Sequence, residues 1–148
     1  MSTTPPFQIL HDLAQKAMND AFASVSQAIS REKDAENQLV ILQRYRHEYV
    51  RGLQQAMAQG MRSSQCQNTQ HFISTLDDAI DKQSGVLGQL QKQVGQERER
   101  WMQARRKVAS MQALISRDHK RARLVQARRE QKSSDEFAAR AFRRINAA

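Results

Sequence analysis

Through the second half of the chain an apolar residue stands at every seventh position: Ile73, Ile80, Leu87, Val94, Trp101, Val108, Ile115 and Ala122. A second series, Leu76, Leu90, Ala104, Met111 and Val125, interleaves with it at the three-four spacing of a heptad. A helix underwound to about 3.5 residues per turn keeps such positions on one seam, facing one partner. The pattern therefore predicts a coiled coil, a long rod in place of a globule. Rods of this kind hold, bridge or turn other proteins.

The first half repeats the signal in a weaker form. Phe7, Ala14, Ala21, Ala28, Ala35, Leu42, Tyr49 and Ala56 recur every seven residues. Taken three residues on, their companions are Leu10, Ala17 and Tyr45, but also Ser24, Arg31 and Gln38. Between the halves lies Gly60-Met61-Arg62-Ser63, where Gly60 suits the left-handed conformation that ends helices. Ser64 followed by Gln67 reads as a capping box opening the next helix. Two long amphipathic helices joined by a short turn imply an antiparallel hairpin. The expected fold is thus all-α: one coiled-coil domain over residues 1–148, with helix 1 at about 7–59, a turn at about 60–64 and helix 2 at about 65–145. An irregular lead-in is expected from Ser2 to Pro6. Folding about residue 63 sets Phe7 opposite the region of Ala122, so residues beyond about 125 overhang.

With 148 residues the chain has the length of one domain. A two-helix seam buries only a narrow strip, so stability should be modest and a partner can add to it. The longest aliphatic run, Leu39-Val40-Ile41-Leu42, is too short to span a membrane, and the N-terminus lacks a secretory pattern. Cys66 is the one cysteine, which excludes an internal disulfide and suits a cytoplasmic chain.

The net charge of +9 is distributed unevenly. Residues 98–148 hold fifteen Lys/Arg against five Asp/Glu, whereas the rest of the chain is nearly balanced. The overhang carries Arg128, Arg129, Lys132, Arg140, Arg143 and Arg144, with Phe137 and Phe142 among them. Such localised charge points to an acidic partner. Nucleic acid is the rival partner, but no uninterrupted basic region precedes a parallel zipper and no groove-reading motif is present. The basic face therefore favours a protein.

Helix 1 also carries more apolar surface than one seam can cover. Phe22, Val25, Ile29, Leu39, Val50, Leu53 and Met57 form a second stripe roughly 100° round the helix. Around residues 38–57 the two stripes coexist, and an apolar surface left exposed there reads as a binding site. Polar residues interrupt the seam at Arg31, Gln38, Gln83, Glu97 and Asp118, and the expected fold point brings Arg31 near Glu97, where an ion pair can set register. Gly85, Gly88 and Gly95 fall inside helix 2, as sites of bending or close contact or as plain tolerated residues.

Catalytic chemistry finds no constellation. His11, His47, His71 and His119 are scattered without the i, i+4 spacing of a helical metal site, and Cys66 has no paired thiol. No phosphate loop occurs. The chain reads as a non-enzyme without a metal or cofactor.

Several stretches together carry a family resemblance: Leu10-His11-Asp12-Leu13-Ala14, Ala35-Glu36-Asn37-Gln38-Leu39, and Tyr45-Arg46-His47-Glu48-Tyr49. Phe72-Ile73-Ser74-Thr75-Leu76 with Ala79-Ile80, and Asp135-Glu136-Phe137-Ala138 with Arg140-Ala141, complete the set. The chain resembles the FliJ family, the small coiled-coil components of the flagellar type III export apparatus. The resemblance spans nearly the whole length. It implies a cytoplasmic rod, peripheral to the inner membrane at the flagellar base, whose helix ends insert into the ring of the export ATPase FliI. It further implies coupling to the export-gate protein FlhA, handling of export chaperones, and through flagellar assembly a part in chemotaxis. The family's gate-binding patch corresponds here to Gln38, Leu42, Tyr45, Tyr49, Phe72, Leu76, Ala79 and Ile80. The ATPase-facing end corresponds to Phe7, Leu10 and Leu13 with Arg128, Arg129, Phe137, Arg140 and Arg143. If the tyrosines face out, as the family implies, the Val50-Leu53-Met57 stripe must face helix 2. A basic nucleic-acid-binding coiled coil and a substrate-binding secretion chaperone are the alternative functions.

Overall fold

The structure, a computed structural model, describes residues 6–147. Of the expected lead-in from Ser2 to Pro6, residues 2–5 lie outside them, and Pro6 is already helical. The fold is all-α: α1 runs from Pro6 to Ala58 and α2 from Ser63 to Asn146, with no strand among the described residues. Pro6 opens α1, where its fixed φ is helical and its missing N–H costs nothing. At the far end Gly60 takes φ of +87°, the left-handed geometry, and the Gly60 N–H donates to the Met57 carbonyl at 3.3 Å. The expected capping box is displaced. The Arg62 carbonyl already accepts the Cys66 N–H at 3.0 Å, so Ser64 lies inside the first turn of α2.

The described residues form two compact units, one of α1 up to Met18 with α2 from Ala104, the other Asn19–Gln103. In the second unit the two helices run antiparallel. Phe22 meets Trp101 with ring centroids 5.9 Å apart, and Tyr49 meets Phe72 at 4.6 Å. Folding about residue 63 would have set Phe22 against Ala104; the true pairing sits nearly one turn closer to the hairpin bend. The expected Arg31–Glu97 pair does not form for this reason. Arg31 is exposed, and Glu97 has Arg100 Nη1 as its neighbour at 3.4 Å.

Burial along α2 follows the sequence heptad. Cys66, Thr69, Ile73, Leu76, Ile80, Gln83, Leu87, Leu90, Val94, Glu97, Trp101, Ala104, Val108, Met111 and Ile115 are all buried or half-buried. Beyond Ile115 the seam stops, and Asp118, Ala122 and Val125 are exposed. On α1 the alanine series is the seam, with Ala14, Ala21, Ala28 and Ala35 each 3–5% exposed. Their companions are displaced by one residue from the expected set: Val25 is buried and Met18, Leu39 and Leu53 half-buried, whereas Ala17, Arg31, Gln38 and Tyr45 face solvent. The four-residue step from each alanine reaches larger apolar side chains than the three-residue step, and burial of apolar area decides between them. The seam thus sets alanine on α1 against larger residues on α2, an arrangement that brings helix axes close together.

Gln83 is the polar member of this seam near its middle. Its amide donates to the Ala35 carbonyl at 3.1 Å and reaches Gln38 Oε1 at 3.3 Å. A half-buried amide satisfied by one carbonyl of the opposite helix fixes register more than it adds stability. Glycine does not serve close approach here. A Cβ built on Gly85, Gly88 or Gly95 meets nothing within 4 Å.

Candidate functional site

The eight residues expected to form the gate patch all lie in the Asn19–Gln103 unit, and the structure divides them into two kinds. Tyr45, Tyr49 and Phe72 present their rings to solvent, at 50%, 46% and 42% exposure, and Gln38 is exposed beside Gln83. Leu42 and Ala79 are half-buried, Ile80 is a half-buried member of the α2 seam, and Leu76 is one of the core residues, at 7% exposure. The tyrosines face outward because the seam takes Leu39, Val50 and Leu53 from α1 in this stretch. Met57, expected on the packed stripe, is 54% exposed.

Leu76 thus belongs to the packing of the hairpin, and the three rings are the most exposed apolar members of the expected patch. The Tyr49–Phe72 pair, tilted by 51°, ties α1 to α2 across the patch. Aromatic pairs of this geometry contribute about 0.5–1.5 kcal/mol beyond area burial. Arg46 pairs with Asp77 on one edge of the same face. Both side chains are nearly half exposed, so this bridge adds little to stability. Toward the bend, Tyr49 also borders a groove of about 390 Å³ over Gly52, Leu53, Ala56 and Met61, which extends the apolar face. Apart from Tyr49, the residues of that groove lie outside the expected patch. The exposed Val40 and Ile41 also fall outside the expected patch.

The residues expected at the other site all belong to the unit that joins α1 up to Met18 with α2 from Ala104. Phe7, Leu10 and Leu13 are exposed on α1, at 37%, 47% and 60%. Gln8 and His11 share a cleft with Gln112 and Ile115, which places the start of α1 beside the last seam residue of α2. Every residue from Ser116 to Arg140 is exposed, so α2 continues uncovered for the rest of its length. Arg128, Arg129, Arg140 and Arg143 lie on this bare helix, with Phe137, Phe142 and Ile145 at 64–75% exposure. Arg128 is thirteen residues past Ile115, about 20 Å along the helix, so the basic residues and the α1 apolar face do not form one patch. Charge and large apolar side chains interleave on the uncovered helix, a composition suited to an acidic groove with apolar pockets.

No group of three metal-ligating side chains occurs among the described residues, and no described helix is long and apolar enough to cross a membrane.

Comparison with known proteins agrees with these features. The family model described as "Flagellar FliJ protein" matches residues 2–147. A flagellar FliJ protein of Salmonella typhi is 34% identical over 137 residues, covering 93% of both chains. The flagellar FliJ protein of Escherichia coli strain K12 is 34% identical over 135 residues, covering 91% of this chain and 92% of its own.

Proposed function

The chain belongs to the flagellar FliJ family, and from that premise we propose that it is a non-enzymatic component of the flagellar protein export apparatus, joining the export ATPase FliI to the export gate FlhA. The observation that carries this reading is the solvent-facing ring surface of Tyr45, Tyr49 and Phe72, which stays 42–50% exposed even where Tyr49 and Phe72 meet across the hairpin. Large aromatic side chains left outside a packed interface are the usual anchors of a protein–protein contact. The gate is the assigned partner for this patch, with Gln38, Leu42, Ala79 and Ile80 framing it and Leu76 buried in the packing of the hairpin.

The opposite role falls to the uncovered part of α2. A narrow helix bearing Arg128, Arg129, Arg140 and Arg143 suits the inside of a ring whose lining is acidic. An element held asymmetrically in a ring contacts its subunits unequally and shifts their nucleotide states through differential binding. Phe7, Leu10 and Leu13 supply an apolar contact at the ring entrance. Export chaperones are further partners, and the place of action is the cytoplasmic side of the inner membrane at the flagellar base.

Binding of the purified cytoplasmic part of the gate to wild type and to Tyr45→Ala and Tyr49→Ala tests the patch. Each variant is expected to weaken binding about tenfold or more, as truncation of a buried aromatic anchor does, with unchanged helicity. Equal affinity for wild type and both variants would remove the gate assignment. A steeply salt-dependent complex with DNA, without any effect on the ATPase, would favour the nucleic-acid alternative.

A further inference from the structure

In the unit formed by α1 up to Met18 and α2 from Ala104 lies a cleft of about 560 Å³ whose chemistry the ring-docking argument did not use. His11 from α1 and Gln112, Ser116, His119 and Arg123 from α2 line it around Ile115. Each of these five polar side chains can donate a hydrogen bond, one bears a permanent positive charge, and no carboxylate lines the cleft. Gln112, Ser116, His119 and Arg123 have no partner among the described residues. Gln8, the remaining lining residue, donates its amide to Asp12 Oδ1 at 3.0 Å.

His11 is the unusual member. Both ring nitrogens are shielded from solvent and neither makes a hydrogen bond. The nearest acid, Asp12, stands 3.5 Å from Nδ1 without hydrogen-bond geometry, and its carboxylate is turned outward and two-thirds exposed. An imidazole carries at least one N–H, so a donor is left unmet in a protein that is otherwise free to place an apolar residue at this seam position. Because the nitrogens are shielded, an incoming acceptor reaches the N–H only once the cover over the ring moves.

We infer that this cleft receives a carboxylate side chain of a protein partner. Arg123 provides the charge and a forked donor that matches two carboxylate oxygens, Ser116 and Gln112 add neutral donors, and the His11 N–H closes the site from the α1 side. Asp12, which accepts a hydrogen bond from the lining residue Gln8, stands at the rim and opposes entry of an anion, a cost that the donors must outweigh. The inference rests on the reading that this end of the hairpin docks into the export ATPase, and it names the contact that would order the docking.

The four histidines give an internal control. The full chain is labelled with ¹⁵N at histidine and titrated with sodium acetate at constant pH and ionic strength. His11 and His119 are expected to shift in a saturable way, His47 and His71 to stay in place, and the response to vanish in Arg123→Gln. Shifts of all four together, of none, or with inorganic phosphate but not with acetate would overturn the carboxylate site. Thermal melting adds a readout that a merely structural histidine would not give. His11→Leu is expected to melt above wild type yet to bind the ATPase about tenfold or more weakly, the loss of one charge-assisted hydrogen bond. Melting below wild type would overturn the inference. Adding the ATPase to the labelled chain separates the two readings: binding that leaves His11 and His119 unmoved refutes the cleft and spares the docking. Acetate saturation without any ATPase binding supports the carboxylate site and refutes the docking.

Discussion

Substitution of Ala28 by leucine tests the packing of the hairpin most sharply. Ala28 is 3% exposed and sits in the alanine stripe of α1 between two fixed cross-helix contacts, Phe22 with Trp101 and Ala35 with Gln83. Over that span α2 supplies Leu90, Val94 and Glu97 to the seam, so three added carbons must be fitted against side chains already buried there. Overpacking a tight site costs about 1–3 kcal/mol, and leucine loses only a few tenths relative to alanine in helix propensity. For a chain of this size each kcal/mol moves the melting temperature by about 2–4 °C, so a fall of roughly 2–12 °C is expected. Ala23→Leu, on the exposed face of the same helix, is the control and should change stability by no more than about 0.5 kcal/mol. Thermal melts followed by circular dichroism at 222 nm measure both. If Ala28→Leu melts with or above wild type, the helices separate without cost and the close alanine seam is wrong.

Four further outcomes follow from the same structure. Leu76→Ala should lower stability by about 2–3 kcal/mol, the low end for a core leucine because a narrow seam can partly collapse, while Tyr45→Ala should leave melting nearly unchanged; calorimetry or denaturant titration separates the buried residue from the exposed one. Gly85→Ala and Gly95→Ala should each stabilise by up to about 1 kcal/mol, since a methyl group meets no neighbour and the helix gains propensity. Gly60→Ala, at φ +87°, should destabilise by about 1–2 kcal/mol for the backbone conformation alone, as its Cβ would also meet nothing. Gln83→Leu should keep or raise thermal stability yet loosen register, read as greater solvent exchange of the Ala35–Leu39 amides.

The second helix was legible in the sequence almost residue by residue, because large apolar residues recur there at one phase from Ile73 to Ile115 and nothing competes with them. The first helix was harder to read. Its alanines mark the seam but bury so little area that they do not say which neighbouring position joins them. The three-step choice collected Ser24, Arg31 and Gln38; the four-step choice collected Met18, Val25, Leu39 and Leu53, and the second group wins on buried area. That one-residue difference is also what turns Tyr45 outward. The fold point missed by a few residues because the position of a turn shifts every cross-helix pair together, which moved Trp101 onto Phe22 and dissolved the expected Arg31–Glu97 pair. Leu76 could be placed on the seam from its heptad position, but membership of the resemblance-based patch gave no sign that its neighbours would be exposed and it would be buried. The donor-rich cleft at His11 left no trace in the local sequence, since its residues come from α1 and α2 more than a hundred positions apart.

ATP turnover by the cognate export ATPase, measured with and without this chain under conditions where the ring assembles, tests the proposed role most directly. Stimulation is predicted, and it should be lost when Arg128, Arg129, Arg140 and Arg143 are changed together to glutamate. Turnover that the wild-type chain leaves unchanged, on an ATPase shown to be assembled, would contradict the account.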